Sequence, residues 1–315
     1  MLEIVTNEKT RLLRRSRRAR TLRENLIGFG FILPGVLLIL AFTVYPLFFS
    51  LRISFQRWNP IIGGTNIGLE NYRGLLTDTL FKKAMTNNLW YALWTILGGF
   101  VFSYGAALLV KSLKIRKTLR FFFFIPSICS TIMITMLWAY MLQSDIGLVN
   151  TLLRMIGISD PPNWIANSKT APMCLYFIVV WSNLGYWMVV FMTGLLDIPD
   201  TYYEAAKLDG ATGLQQLIHI TLPLSTPIIF FYLSMALITC WGQFDIATTM
   251  AMYSGTIGTG SSNSLLMPAY LIYNYSFNSM NFGYSAAMGW GLTLFIIVLS
   301  IINNRVQRWW VCYDK

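Results

Sequence analysis

Six stretches of this chain carry no Asp, Glu, Lys or Arg: Leu26 to Leu51, Ala84 to Val110, Phe121 to Ser144, Thr170 to Leu196, Gly210 to Phe244 and Ile246 to Asn304. Each exceeds the roughly 20 residues that a helix needs to cross the hydrocarbon of a bilayer. Runs of that length cannot all be hidden in one water-soluble core. The charged share of 12% compares with roughly a quarter in a soluble domain. The pattern therefore predicts an all-α polytopic membrane protein.

The net charge of +11 would also suit a nucleic-acid surface, but the basic residues sit where membrane topology wants them. Eight lie in the first 25 residues, and Lys111, Lys114, Arg116, Lys117 and Arg120 fill the link between the second and third runs with no acid among them. Lys and Arg hold such segments in the cytoplasm, so membrane lipid is expected as a partner and nucleic acid is not. The first run follows basic residues as a signal peptide would. It is 26 residues long and lacks a small-residue cleavage pattern, so it reads as a retained helix. Cys129, Cys174, Cys240 and Cys312 show no C-x-x-C spacing, and His219 is the single histidine, so no disulfide framework or metal site is expected. Met133, Met136 and Met141 read as packing.

With the N-terminus inside, the first helix (about Leu26 to Leu51) leads to an outer loop ending near Asn88, and the second returns from Leu89 to Val110. A third, Phe121 to Gln143, runs out to a loop holding Pro161 and Pro162. The fourth, Ala171 to Leu196, comes back. The fifth begins after Pro223, with Pro227 in its first turn, and Asp245 marks its outer end. In the last run Leu265 to Tyr275 is too short to span, so it reads as an outer-surface or re-entrant segment before a final helix from Phe282 to Ile302. This gives six helices with both ends in the cytoplasm, and it places 17 of the 24 basic residues inside. Residues 1–25 are then a basic cytoplasmic segment, 26–304 the transmembrane domain and 305–315 a cytoplasmic tail. One inner loop, about 197–221, breaks the charge rule, with Asp197, Asp200, Glu204 and Asp209 against Lys207 alone.

That loop starts as a short helix with Asp200 or Thr201 as N-cap and Gly210 as its stop. Spacing puts Tyr203, Ala206 and Gly210 on one face, and Ala205, Ala206, Gly210 and Ala211 make a low surface for close packing. Glu204-Ala205-Ala206, then Gly210 after three residues, Ile220 after nine more and Leu222-Pro223 after one, resembles the EAA loop of binding-protein-dependent ABC importers. The resemblance implies that Tyr203, Glu204, Ala205, Ala206, Asp209, Gly210, Leu222 and Pro223 form a coupling helix and its flank, docked on a separate ATPase subunit. Leu33-Pro34-Gly35, Tyr45-Pro46, Ser54-Phe55, Trp58-Asn59, Gly68-Leu69-Glu70-Asn71-Tyr72, Gly147-Leu148-Val149-Asn150 and Phe282-Gly283-Tyr284 narrow the likeness. They are similar to carbohydrate permeases of the maltose and glycerol-phosphate type, and within it to the first of two permease partners. It implies type I importer architecture in a bacterial or archaeal cytoplasmic membrane, a heterodimer with a second permease, two ATPase subunits and an extracytoplasmic solute-binding protein. The pattern departs from the enteric maltose permease, whose extra N-terminal helices and large outer insertion are not expected here, so binding-protein contacts made by that insertion are not carried over. Gly255 to Ser262 imitates a phosphate loop but has Ser261 where Lys is required. No cofactor is therefore expected on this chain, which is not read as an enzyme, and ATP and Mg belong to the partner ATPase.

For the solute pathway, Asn183, Tyr186, Trp187 and Val190 follow helical i, i+3, i+4, i+7 spacing and set hydrogen-bonding groups beside aromatic rings. Trp241, Gln243 and Asp245 repeat that chemistry near the outer end of the fifth helix. Such faces suit a carbohydrate, an oligosaccharide or sugar derivative. The same residues also serve as interfacial aromatics and interhelical polar contacts in many membrane proteins. No charge falls at the centre of a predicted helix, which disfavours a proton relay. The rival reading is a self-contained secondary carrier for a neutral solute, which needs inverted repeats and an ion site that the sequence does not display. An intramembrane enzyme would need paired carboxylates or a nucleophile with its base.

Overall fold

The computed structural model describes residue 25 and residues 27–113, 116–256 and 258–312. All of the opening basic segment but Asn25 lies outside the described residues, as do Lys114 and Lys315. Helices dominate: α1 (Ile27–Ser54), α2 (Glu70–Thr77), α3 (Thr79–Lys111), α4 (Arg116–Ile128), α5 (Thr131–Met141), α6 (Leu148–Met155) and α7 (Thr170–Leu196) come first. They are followed by α8 (Asp200–Leu208), α9 (Gly213–Leu224), α10 (Thr226–Thr239), α11 (Asp245–Tyr253), α12 (Pro268–Tyr273) and α13 (Phe282–Trp310). A small antiparallel hairpin, β1 (Gln56–Asn59) and β2 (Gly63–Asn66), pairs Gln56 with Asn66 and Asn59 with Gly63.

Helices α1, α3, α7 and α13 are long and apolar enough to cross a bilayer, and the pairs α4/α5 and α9/α10 pass the same test as spans bent by 93° and 62°. The expected third helix is thus not one rod. Pro126 lies inside α4 and forfeits a bond to the carbonyl four residues back; the break follows it, where the Cys129 N–H turns to the Pro126 carbonyl and Ser130 is extended (φ −56°, ψ 130°) before α5 restarts. Two other prolines are absorbed differently. The π-turns Leu40–Val44 and Leu217–Thr221 each end two residues before a proline, Pro46 and Pro223. The widened turn moves away the carbonyl that the proline ring would strike and leaves the helix continuous.

Several boundaries differ from the sequence reading. Helix α3 starts ten residues before Leu89, because Asp78 Oδ1 accepts the Leu80 and Phe81 N–H groups at 2.8 and 3.0 Å and caps the helix there. The stretch Thr212 to Thr221 is helical: Thr212 and Gln215 form a reciprocal capping box that opens α9. Asp245 does not close the fifth helix but opens α11, whose Ile246, Ala247, Thr249, Met250 and Ala251 are buried. The expected outer or re-entrant piece is the short α12 followed by a π-turn at Asn274–Asn278. Helix α13 continues to Trp310, through residues expected in the tail.

Three apolar clusters hold the bundle. One joins α3, α5, α7, α11 and α13 around Tyr91, Leu175, Ile178, Trp241, Met250 and Leu292. A second binds the other ends of α3 and α7 to α10 through Tyr104, Phe191, Met192 and Tyr232. The third, with Leu75, Ala84, Leu266, Tyr270 and Met288, seats α2 and α12 on α3 and α13. Glycine permits the closest crossings: a Cβ at Gly185 of α7 would strike the backbone of Phe123 in α4, and one at Gly283 would strike the Gln56 carbonyl of β1. At one end of the bundle lie the hairpin and the bond from the Tyr284 hydroxyl to Asp78. At the other lie α8 and Cys312, whose N–H bonds Thr226 Oγ1.

Candidate functional site

Where α3, α7 and α10 face one another they leave a cavity of about 240 Å³. Tyr91, Thr95 and Gly99 line it from α3, Thr131 from the start of α5, and Val179, Asn183 and Trp187 from α7; Tyr232, Ala236 and Thr239 come from α10, with Cys240, Gln243 and Ile246 just beyond it. The Tyr91 hydroxyl donates to Gln243 Oε1 at 3.3 Å, and the Tyr232 hydroxyl to the Ile96 carbonyl at 2.8 Å. Trp187 meets the Tyr232 ring edge-on, centroids 4.7 Å apart. Thr95 and Thr239 donate their hydroxyl protons to the Tyr91 and Met235 carbonyls, which leaves their oxygens free to accept. Among the described residues, the lining contains aromatic faces, hydroxyls and two amides, and no Asp, Glu, Lys or Arg. Such a wall stacks on C–H faces and exchanges hydrogen bonds with a neutral polyhydroxylated solute.

Of the residues singled out from sequence, Asn183, Trp187 and Gln243 come together here. Tyr186 lies outside the lining, 45% exposed, against the edge of Trp187. Trp241 is fully buried and packs edge-on against Phe295 of α13. Asp245 is exposed at the start of α11. The sequence reading missed Tyr91, Thr95, Thr131, Tyr232 and Thr239. The i, i+4, i+8 series Tyr91, Thr95, Gly99 in α3 and the series Tyr232, Ala236, Cys240 through α10 carried the available signal.

At the far end, α8 contributes no buried residue. Its C-terminus closes in two bonds, Gly210 N–H to the Lys207 carbonyl (3.1 Å) and Ala211 N–H to the Ala206 carbonyl (2.9 Å), with Gly210 at φ +77°. This is the paired-bond stop that glycine favours. No side chain caps the N-terminus, so neither Asp200 nor Thr201 plays that part; Pro199 holds the cap position. Tyr203 and Ala206 share a face, as the spacing predicts, but that face turns toward the rest of the chain. The Tyr203 hydroxyl lies 3.1 Å from Thr221 Oγ1 of α9, and the Lys111 ammonium lies 5.1 Å from the centre of its ring. Glu204, Ala205, Lys207, Leu208 and Asp209 are exposed, Leu208 at 90%. Leu222 and Pro223 are half-buried at the end of α9.

Residues 99–311 match the family described as binding-protein-dependent transport system inner membrane component. The chain is 31% identical over 310 residues to the probable ABC transporter permease protein YesP of Bacillus subtilis (strain 168), covering 95% of this chain and 96% of that protein. It is 31% identical over 284 residues to the arabinooligosaccharides transport system permease protein AraP of the same organism, covering 88% and 87%. Among solved structures, it superposes with a TM-score of 0.81 and 20% identity on a chain of a bacterial alginate ABC transporter in complex with an alginate pentasaccharide-bound periplasmic protein. That match covers 92% of this chain and 96% of the other.

Proposed function

The chain belongs to the binding-protein-dependent transport system inner membrane components, and from that premise we propose that it is the membrane-spanning half of an ATP-driven carbohydrate importer. The observation that carries the mechanism is α8: a short helix between two spans, anchored on one face by Tyr203 and bare on the other, where Glu204, Ala205 and Leu208 await a partner. In this reading α8 seats in a cleft of a separate ATPase subunit, one of two that bind ATP and Mg. Glu204, exposed at the middle of α8, can pair with a cation of that cleft.

The cavity between α3, α7 and α10 is this subunit's share of the sugar path. Its volume, about 240 Å³, is below the roughly 300–1,000 Å³ of complete ligand pockets, as expected if a second, distinct permease closes it. The arabinooligosaccharide and alginate relatives favour a carbohydrate, and the alginate complex favours delivery by a solute-binding protein. Each bent pair counts as one span, giving six, with both termini and α8 on the cytoplasmic side of the cell membrane.

Retention of the ATPase subunits by the affinity-purified chain tests the assignment. The unmodified chain and the Lys207→Ala control retain them, whereas Glu204→Lys inserts in the membrane and loses them or hydrolyses ATP without uptake. Unimpaired retention and uptake in Glu204→Lys would remove α8 as the docking helix. Carbohydrate uptake by this chain reconstituted alone would replace the importer reading with that of a secondary carrier.

A further inference from the structure

Lys111 reads in the sequence as one of five basic residues that hold a loop inside. In the structure it has another place. It is the last residue of α3, half-buried, and its ammonium donates to the Leu195 carbonyl at 2.8 Å while facing the Tyr203 ring. Leu195 is fully buried in the last turn of α7, where carbonyls lack intrahelical donors and the helix dipole is negative. One cation thus joins the inner ends of two helices that line the cavity to the helix read here as docking on the ATPase. Tyr203 continues the chain of contacts through Thr221 of α9, and the Tyr104 hydroxyl of α3 meets Ser225 Oγ at 2.7 Å, at the hinge between α9 and α10. The ends of α3 and α7 therefore meet at the Lys111–Tyr203 pair, about 24 Å along α3 from Thr95, and α10 is tied to α3 through Ser225.

We propose that Lys111 is the positioning residue that transmits displacement of α8 to the cavity, by holding the ends of α3 and α7 to Tyr203. The proposal rests on the assignment of α8 as the docking helix. The physical argument is geometric. With the cation in place, a push on α8 that tilts Tyr203 strains its contact with the cation held at the ends of α3 and α7. Without it, α8 keeps its bond to Thr221, the packing of Tyr203 on the second apolar cluster and its exposed face, so docking survives while the polar link to the ends of α3 and α7 is lost. A partly buried cation over an aromatic face is worth about 0.5–2 kcal/mol, too little to hold the fold together but of the size of the changes by which single residues alter coupling between sites.

The native Cys240, whose residue lines the cavity, supplies a readout independent of the solute. In the complex with both permeases and the ATPase, carrying Cys129→Ser, Cys174→Ser and Cys312→Ser, the rate of Cys240 modification by N-ethylmaleimide is compared with and without MgATP. Lys111→Met is expected to retain the ATPase and hydrolyse ATP while the MgATP-dependent change in Cys240 rate shrinks about 2- to 30-fold. Lys111→Arg, which restores a cation able to stack on Tyr203 and reach the carbonyl, recovers the response. Tyr203→Leu keeps the bond to Leu195 and, read against Tyr203→Phe, which loses only the hydroxyl contact with Thr221, carries the same prediction should Lys111→Met fail to assemble. The double variant is no worse than either single one. A full Cys240 response in Lys111→Met or Tyr203→Leu, or equal loss of hydrolysis and response unrelieved by arginine, overturns the proposal and leaves the importer reading standing. Absence of any MgATP effect in the unmutated background sinks both.

Discussion

Gly210→Ala acts on the turn behind α8 through its backbone alone. Gly210 sits at φ +77° with open space within 4 Å of where a Cβ would be, so the substitution meets no clash within the chain. The cost is that of placing an L-residue in the left-handed region, roughly 1–2 kcal/mol. Two bonds depend on that conformation, the Gly210 N–H to Lys207 and the Ala211 N–H to Ala206. The local opening equilibrium should therefore rise about five- to thirtyfold, at 1.4 kcal/mol per factor of ten. Hydrogen exchange at the Ala211 amide in the purified chain measures this directly. Gly210→Asn should exchange more slowly than Gly210→Ala, because asparagine tolerates the left-handed region better. An Ala211 amide that exchanges at the same rate in Gly210 and Gly210→Ala proteins, or an asparagine variant as open as the alanine one, would refute the reasoning.

Tyr91→Phe removes the bond to Gln243 and should weaken solute affinity by up to several-fold, on the order of 1 kcal/mol. Gln243→Ala should cost more, with ATPase retention unchanged in both, and uptake kinetics unchanged in both variants would exclude this wall from the pathway. Cys312, exposed at the α8 end of the bundle, should escape membrane-impermeant thiol reagents in intact cells and react in inverted vesicles; the reverse result would invert the proposed topology. Asn71→Ala strips the bonds from its amide to the Ser54 and Gln56 carbonyls. It should lower stability in detergent by about 1–3 kcal/mol, read as a lower Tm, while turnover per folded complex stays the same.

The sequence located α7 almost to the residue because charges stand at both of its ends, Lys169 and Asp197. It misplaced the start of α3 because Lys82 and Lys83 lie within the helix, whose cap is Asp78, and a charge need not mark the edge of a helix. Hydropathy was equally blind to the 93° break between α4 and α5: an uncharged run reports what surrounds the chain, not its direction, and Pro126 was the local clue. Periodicity inside a single helix found Asn183 and Trp187. Tyr91 and Tyr232 reach the same cavity from α3 and α10, and only the pairing of helices brings them there. For Tyr203 the spacing gave the correct face and no means of telling in from out, since the answer lies in Lys111 and Thr221 on other helices.

The motifs that carried the resemblance fall into two physical classes. Asn71 clamps the end of α1 to the hairpin, Tyr72 bonds Ser54 Oγ at 2.7 Å, and Asn150 ties the Ser144 and Pro162 carbonyls while accepting from Trp164 Nε1. Gly147 has no room for a Cβ against the Met141 and Gln143 carbonyls, and Gly283 none against Gln56. These residues build the scaffold. The exposed face of α8 belongs to the other class, since none of the described residues covers Glu204 or Leu208. Neither class touches the cavity, whose lining contains none of the motif residues. A likeness built on the scaffold and on the exposed face of α8 therefore identifies a sugar-type permease and is silent on which sugar it takes. On the proposed reading, discrimination among sugars falls to positions such as Tyr91, Thr95, Asn183, Trp187, Tyr232 and Gln243, together with what the proposed second permease presents across from them.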